Sequence, residues 1–290
     1  MTTHRSDFRF FHRLRVRWAE VDMQKIVFNG HYLMYLDTAI SDYWRAMAFP
    51  YEAGMLAMGG DLYVKKASVE YHGSARFDDM LDIGLRCQRV GTSSITFTGA
   101  IFAGDDTLIT AELIYVFADP ATQKSKPVPD ALRNALEAFE SGKAMTNLQV
   151  GDWTTLGAGA SALREAIFVQ EQGIDAHLVW DDLDAIAVHA VSVNAMQLAV
   201  ASGRLLQPEP GKGRIGRMAV NRALRGANLG RDVLLALVAA SQARGDSEVS
   251  LHAQCSAEGF YLKNGFVTRG DIFEEAGIRH IDMVRLLKPE

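Results

Sequence analysis

The sequence predicts an α+β chain of two successive domains. The first is a sheet with one covered face and one long helix, and the second is built of alternating helices and strands. Three observations carry this. A length of 290 residues suits about two domains. Four stretches between residues 69 and 117 alternate apolar with polar residues, the period of strands with one covered face. From about residue 146 the pattern changes to helices between strands, which argues for an α/β or α+β unit. The predicted boundary gives domains over 1–144 and 145–290, with a linker at Ser141-Gly-Lys-Ala-Met-Thr146.

The elements follow in order. His12, Leu14, Val16 and Trp18 alternate with Arg13, Arg15 and Arg17, so this basic stretch reads as a strand ending near Trp18 and not as a transit peptide. Leu33, Leu36, Ile40, Tyr43, Trp44 and Met47 recur at helical spacing, with Asn29 as the expected N-cap and Pro50 after the end. The four strand patterns are centred on Val69 and Tyr71, on Leu81 to Cys87, on Ile95 to Gly99, and on Ile109 to Phe117; Gly91-Thr-Ser-Ser94 and Gly104-Asp-Asp106 are turns between them. Residues 127–140 read as a short helix. The second half is expected to hold a helix at 162–172 ending at Gly173, two short strands within 188–200, a strand at 214–220, a helix at 230–243 stopped by Gly245, a strand at 248–253, a short helix capped by Ser256 through Lys263, and a last strand at 281–287.

Composition narrows the function classes. Apolar content of 48% and charged content of 22% are those of a soluble globular protein. A net charge of −5 lacks the basic stripe of a nucleic-acid binder. No run reaches the ~18 apolar residues of a membrane helix. Cys87 and Cys255 are far apart, so neither a disulfide nor a metal site is expected, and the cytoplasm is the default compartment.

Two segments carry chemistry. Asp22 precedes the helix that begins near Asn29 and Gly30. N–H groups at a helix start can polarise a thioester carbonyl and stabilise the oxyanion. A nearby carboxylate can attack the carbonyl or activate water; the alternative is that Asp22 merely caps a turn. The second segment runs from Met218-Ala219-Val220, a strand, into Arg225-Gly226-Ala227-Asn228-Leu229-Gly230-Arg231, a turn opening a helix. Amides of such a turn form an anion site suited to a pyrophosphate.

Arg17-Trp-Ala-Glu-Val-Asp-Met-Gln-Lys-Ile-Val-Phe-Asn-Gly-His-Tyr-Leu33 resembles the start of hotdog-fold acyl-CoA thioesterases of the 4-hydroxybenzoyl-CoA thioesterase type, and Val69 to Leu81 resembles the family's second strand and following turn. The resemblance covers about residues 8–140. It implies a curved antiparallel sheet around the helix at 30–48, Asp22 as the catalytic carboxylate, and a homodimer or homotetramer formed through this domain, with sites at the subunit interface. Many relatives have Gly where Lys25 stands, and some have His where Asn29 stands. His31 and His72 are further candidates that read better as structural or surface residues.

Arg225 to Gly230 resembles the acyl-CoA motif of GCN5-related N-acetyltransferases, with Asn228 at a glycine position whose positive φ asparagine tolerates. Ala257 to Phe266 resembles the same family's last helix and turn. That likeness implies Tyr261 as the donor of a proton to the leaving thiolate. Leu163 to Gly173, Asp181 to Asp184 and His189 resemble the ElaA-like branch. Glu171, Asp182, Asp184 and His189 are expected to line the acceptor side, where carboxylates would attract a cationic amine. The chain is therefore expected to be bifunctional, hydrolysing an acyl-CoA thioester in the first domain and moving an acyl group, acetyl above all, from CoA to a small-molecule amine in the second. Acyl-CoA and acetyl-CoA are substrates; no permanently bound cofactor, metal, nucleic acid or membrane is expected. The rivals are a second domain that only binds CoA as a regulatory module, and a first domain that is an acyl-binding or dehydratase-like protein.

Overall fold

The computed structural model describes residues 3–287, which divide into two compact units, Met1–Met145 and Thr146–Glu290. Among the described residues no helix is long and apolar enough to cross a membrane.

In the first unit five antiparallel strands lie in the order β1-β3-β4-β5-β2: β1 (Phe10–Arg15), β2 (Asp61–Tyr71), β3 (Met80–Val90), β4 (Ser94–Ala103) and β5 (Asp106–Ala118). Helix α1 (Asn29–Ala46) buries Tyr32, Tyr35, Leu36, Ala39, Ile40, Tyr43 and Trp44, the stripe that helical spacing requires. Leu81, Ile83, Leu85, Ile95 and Phe97 are fully buried, as the alternation demanded of a covered face. A short helix α2 (Tyr51–Ala57) precedes β2, and α3 (Asp130–Glu140) closes the unit. Glu140 ties α3 to the core: its Oε1 accepts from the Cys87 amide at 2.7 Å and from the Tyr43 hydroxyl. Burial, with Glu140 beside it, pushes the Cys87 thiol up to about 12. Tyr35, Trp44, Phe49 and Met55 are all buried as core.

Three expectations need correction here. The first strand ends at Arg15, and Trp18 sits in a 3₁₀ turn with 78% of its surface exposed. The N-cap of α1 is Phe28, in extended backbone and without a side-chain cap; Asn29 is already the first helical residue. Pro127 lies before α3, which starts after Pro129, where a ring nitrogen without a hydrogen suits a helix entry.

The second unit is a seven-stranded sheet in the order β11-β12-β10-β9-β8-β7-β6. Its strands are β6 (Thr146–Gly151), β7 (Val188–Asn194), β8 (Ala199–Glu209), β9 (Lys212–Val220), β10 (Glu248–Gln254), β11 (Val267–Glu275) and β12 (Ile278–Leu286). Helix α4 (Trp153–Arg164) runs into a π-helical turn, Glu165–Glu171; α5 (Leu229–Ala243) follows β9, and α6 (Glu258–Lys263) follows β10. Val191 packs on Leu156 and Ala160 of α4. Its neighbour Ala190 pairs with Gly203, where an added Cβ would press within 2.8 Å of Leu237 and 3.0 Å of Val233 on α5. Adjacent strand residues face opposite ways, so α4 and α5 cover opposite faces of the sheet.

Helix α4 starts nine residues earlier than the spacing predicts, because Asp152 caps it by accepting from the Thr155 amide at 2.9 Å. Ser256 lies inside a 3₁₀ turn, Cys255–Ala257, instead of capping α6. Strand β11 has no counterpart in the sequence reading.

One pairing is incomplete. Strands β9 and β10 are the sheet's parallel pair, and they pair only where Lys212, Gly213 and Arg214 meet Glu248, Val249 and Ser250. Beyond Arg214 the two strands have no mutual pairing, which leaves backbone of both open at the centre of the sheet.

Candidate functional sites

In the first unit Asp22 sits on a tight hairpin. Val21 bridges to Val27, the Asp22 amide donates to Ile26 O at 2.9 Å, and the Lys25 amide donates to Asp22 O at 2.9 Å. Lys25 turns the chain with φ of +62°, a conformation that glycine adopts at no steric cost. The Asp22 carboxylate does part of what the turn reading proposed: Oδ1 accepts from the Gln24 amide at 2.8 Å. Oδ2 has no partner among the described residues.

The hairpin is held by a residue the sequence reading passed over. Glu20 is 4% exposed and accepts from the Arg17 amide at 2.7 Å, from the Arg17 guanidinium, and from the Tyr35 hydroxyl at 2.8 Å, while its carbonyl accepts from the Phe28 amide at 3.0 Å. Burial opposes its ionisation, but the Arg17 and Tyr35 hydrogen bonds outweigh it and hold the carboxyl below the usual range. The same carboxylate, added to burial, pushes the Tyr35 phenol up. Glu20 thus fixes the loop to the buried face of α1. At the start of α1 the amides of Asn29 and Gly30 have no acceptor among the described residues, and both residues are exposed. His31 stacks edge-on against Phe28, and its Nδ1 is buried without a partner among the described residues; His72 Nε2 lies 2.8 Å from Thr110 Oγ1.

In the second unit β9 leads into the turn. Opposite Gly203 the strand carries two residues, Arg217 and Met218, a bulge with Arg217 at φ +53°. Asn221 then caps a 3₁₀ turn, Gly226 adopts φ of +90°, and Asn228 is left-handed at φ +63° as the N-cap of α5. The amides of Gly226, Asn228, Leu229, Gly230 and Arg231 have no acceptor among the described residues, so the turn presents a run of donors where the helix dipole is positive. Arg225 forms a bidentate pair with Glu171 at 2.7 and 2.9 Å.

A cavity of about 960 Å³ opens where β9 and β10 separate. Met218 and Tyr261 line it. The Tyr261 ring is buried between Phe260 and Phe266, its hydroxyl has no hydrogen-bond partner among the described residues, and burial pushes the phenol up to about 12.

The predicted acceptor set does not form one site. Glu171 is occupied by Arg225. Asp182 is exposed on a 3₁₀ turn. Asp184 is 3% exposed and accepts from Arg164 at 2.8 Å and Arg204 at 2.9 Å, both of them buried. His189 is fully buried; its Nε2 lies 2.9 Å from Asp184 O, its ring lies against Trp153, and burial pushes its pKa down. Asp184 and His189 are therefore internal structure, because a buried carboxylate persists only when paired. None of the four lines the cavity.

Other polar residues do. His252 on β10 lines it, with Nδ1 2.7 Å from Glu275 Oε2. Arg214 Nη2 lies 2.8 Å from His252 Nε2. Burial works against ionisation of Glu275, yet His252, His280 and Arg214 hold its carboxyl below the usual range. A carboxylate-oriented imidazole in a cleft is a candidate proton acceptor. The alternation of β10 put His252 and Leu251 on opposite faces, but nothing local joined His252 to Glu275, 23 residues away.

Comparison with known proteins follows the same division. The family described as Thioesterase superfamily matches residues 24–110, and the one described as Acetyltransferase (GNAT) domain matches residues 170–287. The chain is similar to the acyl-CoA thioester hydrolase YbgC of Escherichia coli O6:H1, 29% identical over 120 residues that make up 41% of this chain and 89% of YbgC. It is similar to the Bacillus subtilis protein named uncharacterized N-acetyltransferase YjcF, 33% identical over 124 residues, 42% of this chain and 87% of YjcF. Among solved structures it is similar to Escherichia coli ElaA, with 28% identity, coverage of 49% of this chain and 99% of ElaA, and a TM-score of 0.44.

Proposed function

From a chain that belongs to the thioesterase superfamily over its first half and to the GNAT acetyltransferase family over its second, we propose a bifunctional cytoplasmic enzyme of acyl-CoA chemistry. The first domain hydrolyses an acyl-CoA thioester to a carboxylic acid and CoA. The second transfers an acyl group, acetyl above all, from CoA to a small-molecule amine. Neither step calls for a resident metal or cofactor.

The observation that carries the reading is the pair of donor-rich helix starts, at Asn29–Gly30 and at 226–231, each beside a group able to act on a thioester. In the first domain the α1 amides would receive the carbonyl oxygen as it gains charge. Asp22, with one oxygen bound in its turn and the other free, either attacks the carbonyl carbon or takes a proton from an attacking water. Assembly into a homodimer or homotetramer through this domain is supported by the edge position of β2 and by exposed Leu33, Met34 and Val64.

In the second domain the CoA diphosphate lies on the 226–231 amides and the pantetheine arm follows the opening between β9 and β10. His252 accepts a proton from the ammonium. The freed amine attacks the carbonyl carbon, a C–N bond forms and the C–S bond breaks. Tyr261 gives its proton to the thiolate, and the amide nitrogen returns one to the phenolate. One amide, one CoA thiol and one proton result. The left-handed Asn228 and the presence of His252 in the cavity favour this reading over a regulatory module.

Asp22→Asn tests the hydrolase half. Hydrolysis across a panel of acyl-CoA esters should fall at least ~100-fold, the scale of a lost general base, while amine acetylation persists. Hydrolysis at the wild-type rate removes Asp22 from the mechanism. For the transferase half, turnover of acetyl-CoA with a panel of amines is the measurement, and binding of acetyl-CoA without turnover on any amine returns the module reading.

A further inference from the structure

The arginine network that borders the second unit's cavity outnumbers the carboxylates that pair with it, with buried Arg164 behind the lining residues. Arg164 and Arg204 meet on Asp184; Arg204 and Arg217 meet on Asp181; Arg214 lies over the imidazole that is bonded to Glu275. Four guanidinium groups thus face three carboxylates. Arg244, which also lines the cavity, is already paired with Asp246. Arg217 is held in position at both ends: its backbone is fixed in the β9 bulge, and its Nη2 donates to Leu178 O at 2.9 Å. Its Nε is buried with no partner among the described residues. Arg204, Arg214 and Arg217 all line the cavity that holds His252 and Tyr261. The CoA diphosphate has its own cradle at the 226–231 turn, so this excess charge is left for the other substrate.

We propose, on the footing of the transferase reading above, that the acceptor is a small amine carrying an anionic group, a carboxylate or a phosphate, which Arg217 and Arg214 bind while the amine faces His252. This reverses the cationic attraction expected from the sequence, because Asp184 is neutralised inside the fold, Glu171 is paired with Arg225, and Asp182 does not line the cavity. The placement of Arg214 adds a consequence. Its Nη2 lies 2.8 Å from His252 Nε2 and 3.0 Å from Nδ1, over the ring whose Nε2 must accept the ammonium proton. An anion beside it competes for the guanidinium and leaves Nε2 open. An acceptor lacking the anion leaves the base covered.

The test uses the full chain, acetyl-CoA and matched acceptors: 4-aminobutyrate against 4-aminobutyramide, and O-phosphoethanolamine against ethanolamine. The anionic member of one pair should be preferred by about 10- to 100-fold in kcat/KM, the scale of a charge-assisted hydrogen bond, and the pair that shows it separates carboxylate from phosphate. Arg217→Gln and the exposed Arg214→Gln should each lower kcat/KM for the anionic member relative to the neutral one, so that the preference collapses, while the Kd for acetyl-CoA stays within about twofold. A general loss of structure would lower both members together, so the collapse of selectivity is the discriminating readout. Equal or better use of the neutral members overturns the proposal, as does a loss shared equally by both. If acetyl-CoA binds and no amine of any charge is acetylated, the transferase reading fails on its own. Calorimetry on the CoA-loaded chain then decides this inference: binding of an anionic amine that Arg217→Gln abolishes supports it, and indifference to charge overturns it.

Discussion

Asp184 separates a structural role from a catalytic one. Replacing it with Asn keeps the shape and removes the charge that two arginines share. Arg164 is fully buried and has Asp184 as its only ion-pair partner among the described residues, with Nε and Nη2 already unpartnered there and the Trp153 ring over the guanidinium. Burial lowers the Arg164 pKa, and the hydrogen bond to Asp184 works against that. Without the carboxylate the charge has no compensation, a situation that costs about 3–5 kcal/mol. For a unit near 150 residues each kcal/mol moves Tm by about 2–4 °C, so the thermal transition of the second unit should fall by roughly 10 °C. Scanning calorimetry of the full chain measures it, with Asp182→Asn as a control. Asp182 is exposed, and its variant should stay within about 0.5 kcal/mol of wild type. A shift below about 2 °C for Asp184→Asn, together with a raised KM for the amine, would refute the internal role and restore Asp184 to the acceptor site.

Asn228 holds φ of +63°, which a β-branched side chain resists. Asn228→Gly should keep acetyl-CoA affinity within about threefold, while Asn228→Val should weaken it about tenfold, at the ~1–2 kcal/mol cost of left-handed backbone; calorimetric titration checks both. Tyr261→Phe removes a hydroxyl with no hydrogen-bond partner among the described residues, so Tm should hold while kcat for acetyl transfer falls about 10- to 100-fold; an unchanged kcat excludes Tyr261 as the proton donor. His189 is buried and its folded pKa is lowered, so the unfolded chain binds the extra proton first as pH drops. Stability of the second unit should be full above the ordinary value of 6.5, then decline below it by up to ~1.4 kcal/mol per pH unit until the folded pKa is reached. Denaturation of wild type and His189→Gln between pH 7.5 and 5 should show the slope only in wild type.

What the sequence revealed was what local periodicity can encode. Leu81, Ile83 and Leu85 alternate because one face of β3 is buried, and Leu36, Ile40 and Tyr43 recur because one face of α1 is buried. Strand β11 escaped for the converse reason: it is an edge strand exposed along nearly its whole length, so no alternation marks it. The start of α4 was hidden by Gly157 and Gly159. Yet Gly157 is required there, since a Cβ would lie 2.7 Å from the Trp153 ring. The left-handed conformation of Asn228 was legible because the resemblance puts a glycine position there and asparagine tolerates positive φ. The fates of Glu171 and Asp184 were not, because their arginine partners lie 54 and 20 residues away. Glu20 was passed over for Asp22 two residues on, since its tie to Tyr35 is made only once α1 folds back on the loop.

The number of CoA molecules bound by one chain is the most direct measure of the account. Titration of the full chain with CoA itself, followed by calorimetry, should give two sites per chain, one of which weakens about tenfold in Asn228→Val while the other is unchanged. A stoichiometry of one, or a single site that Asn228→Val abolishes entirely, would contradict it.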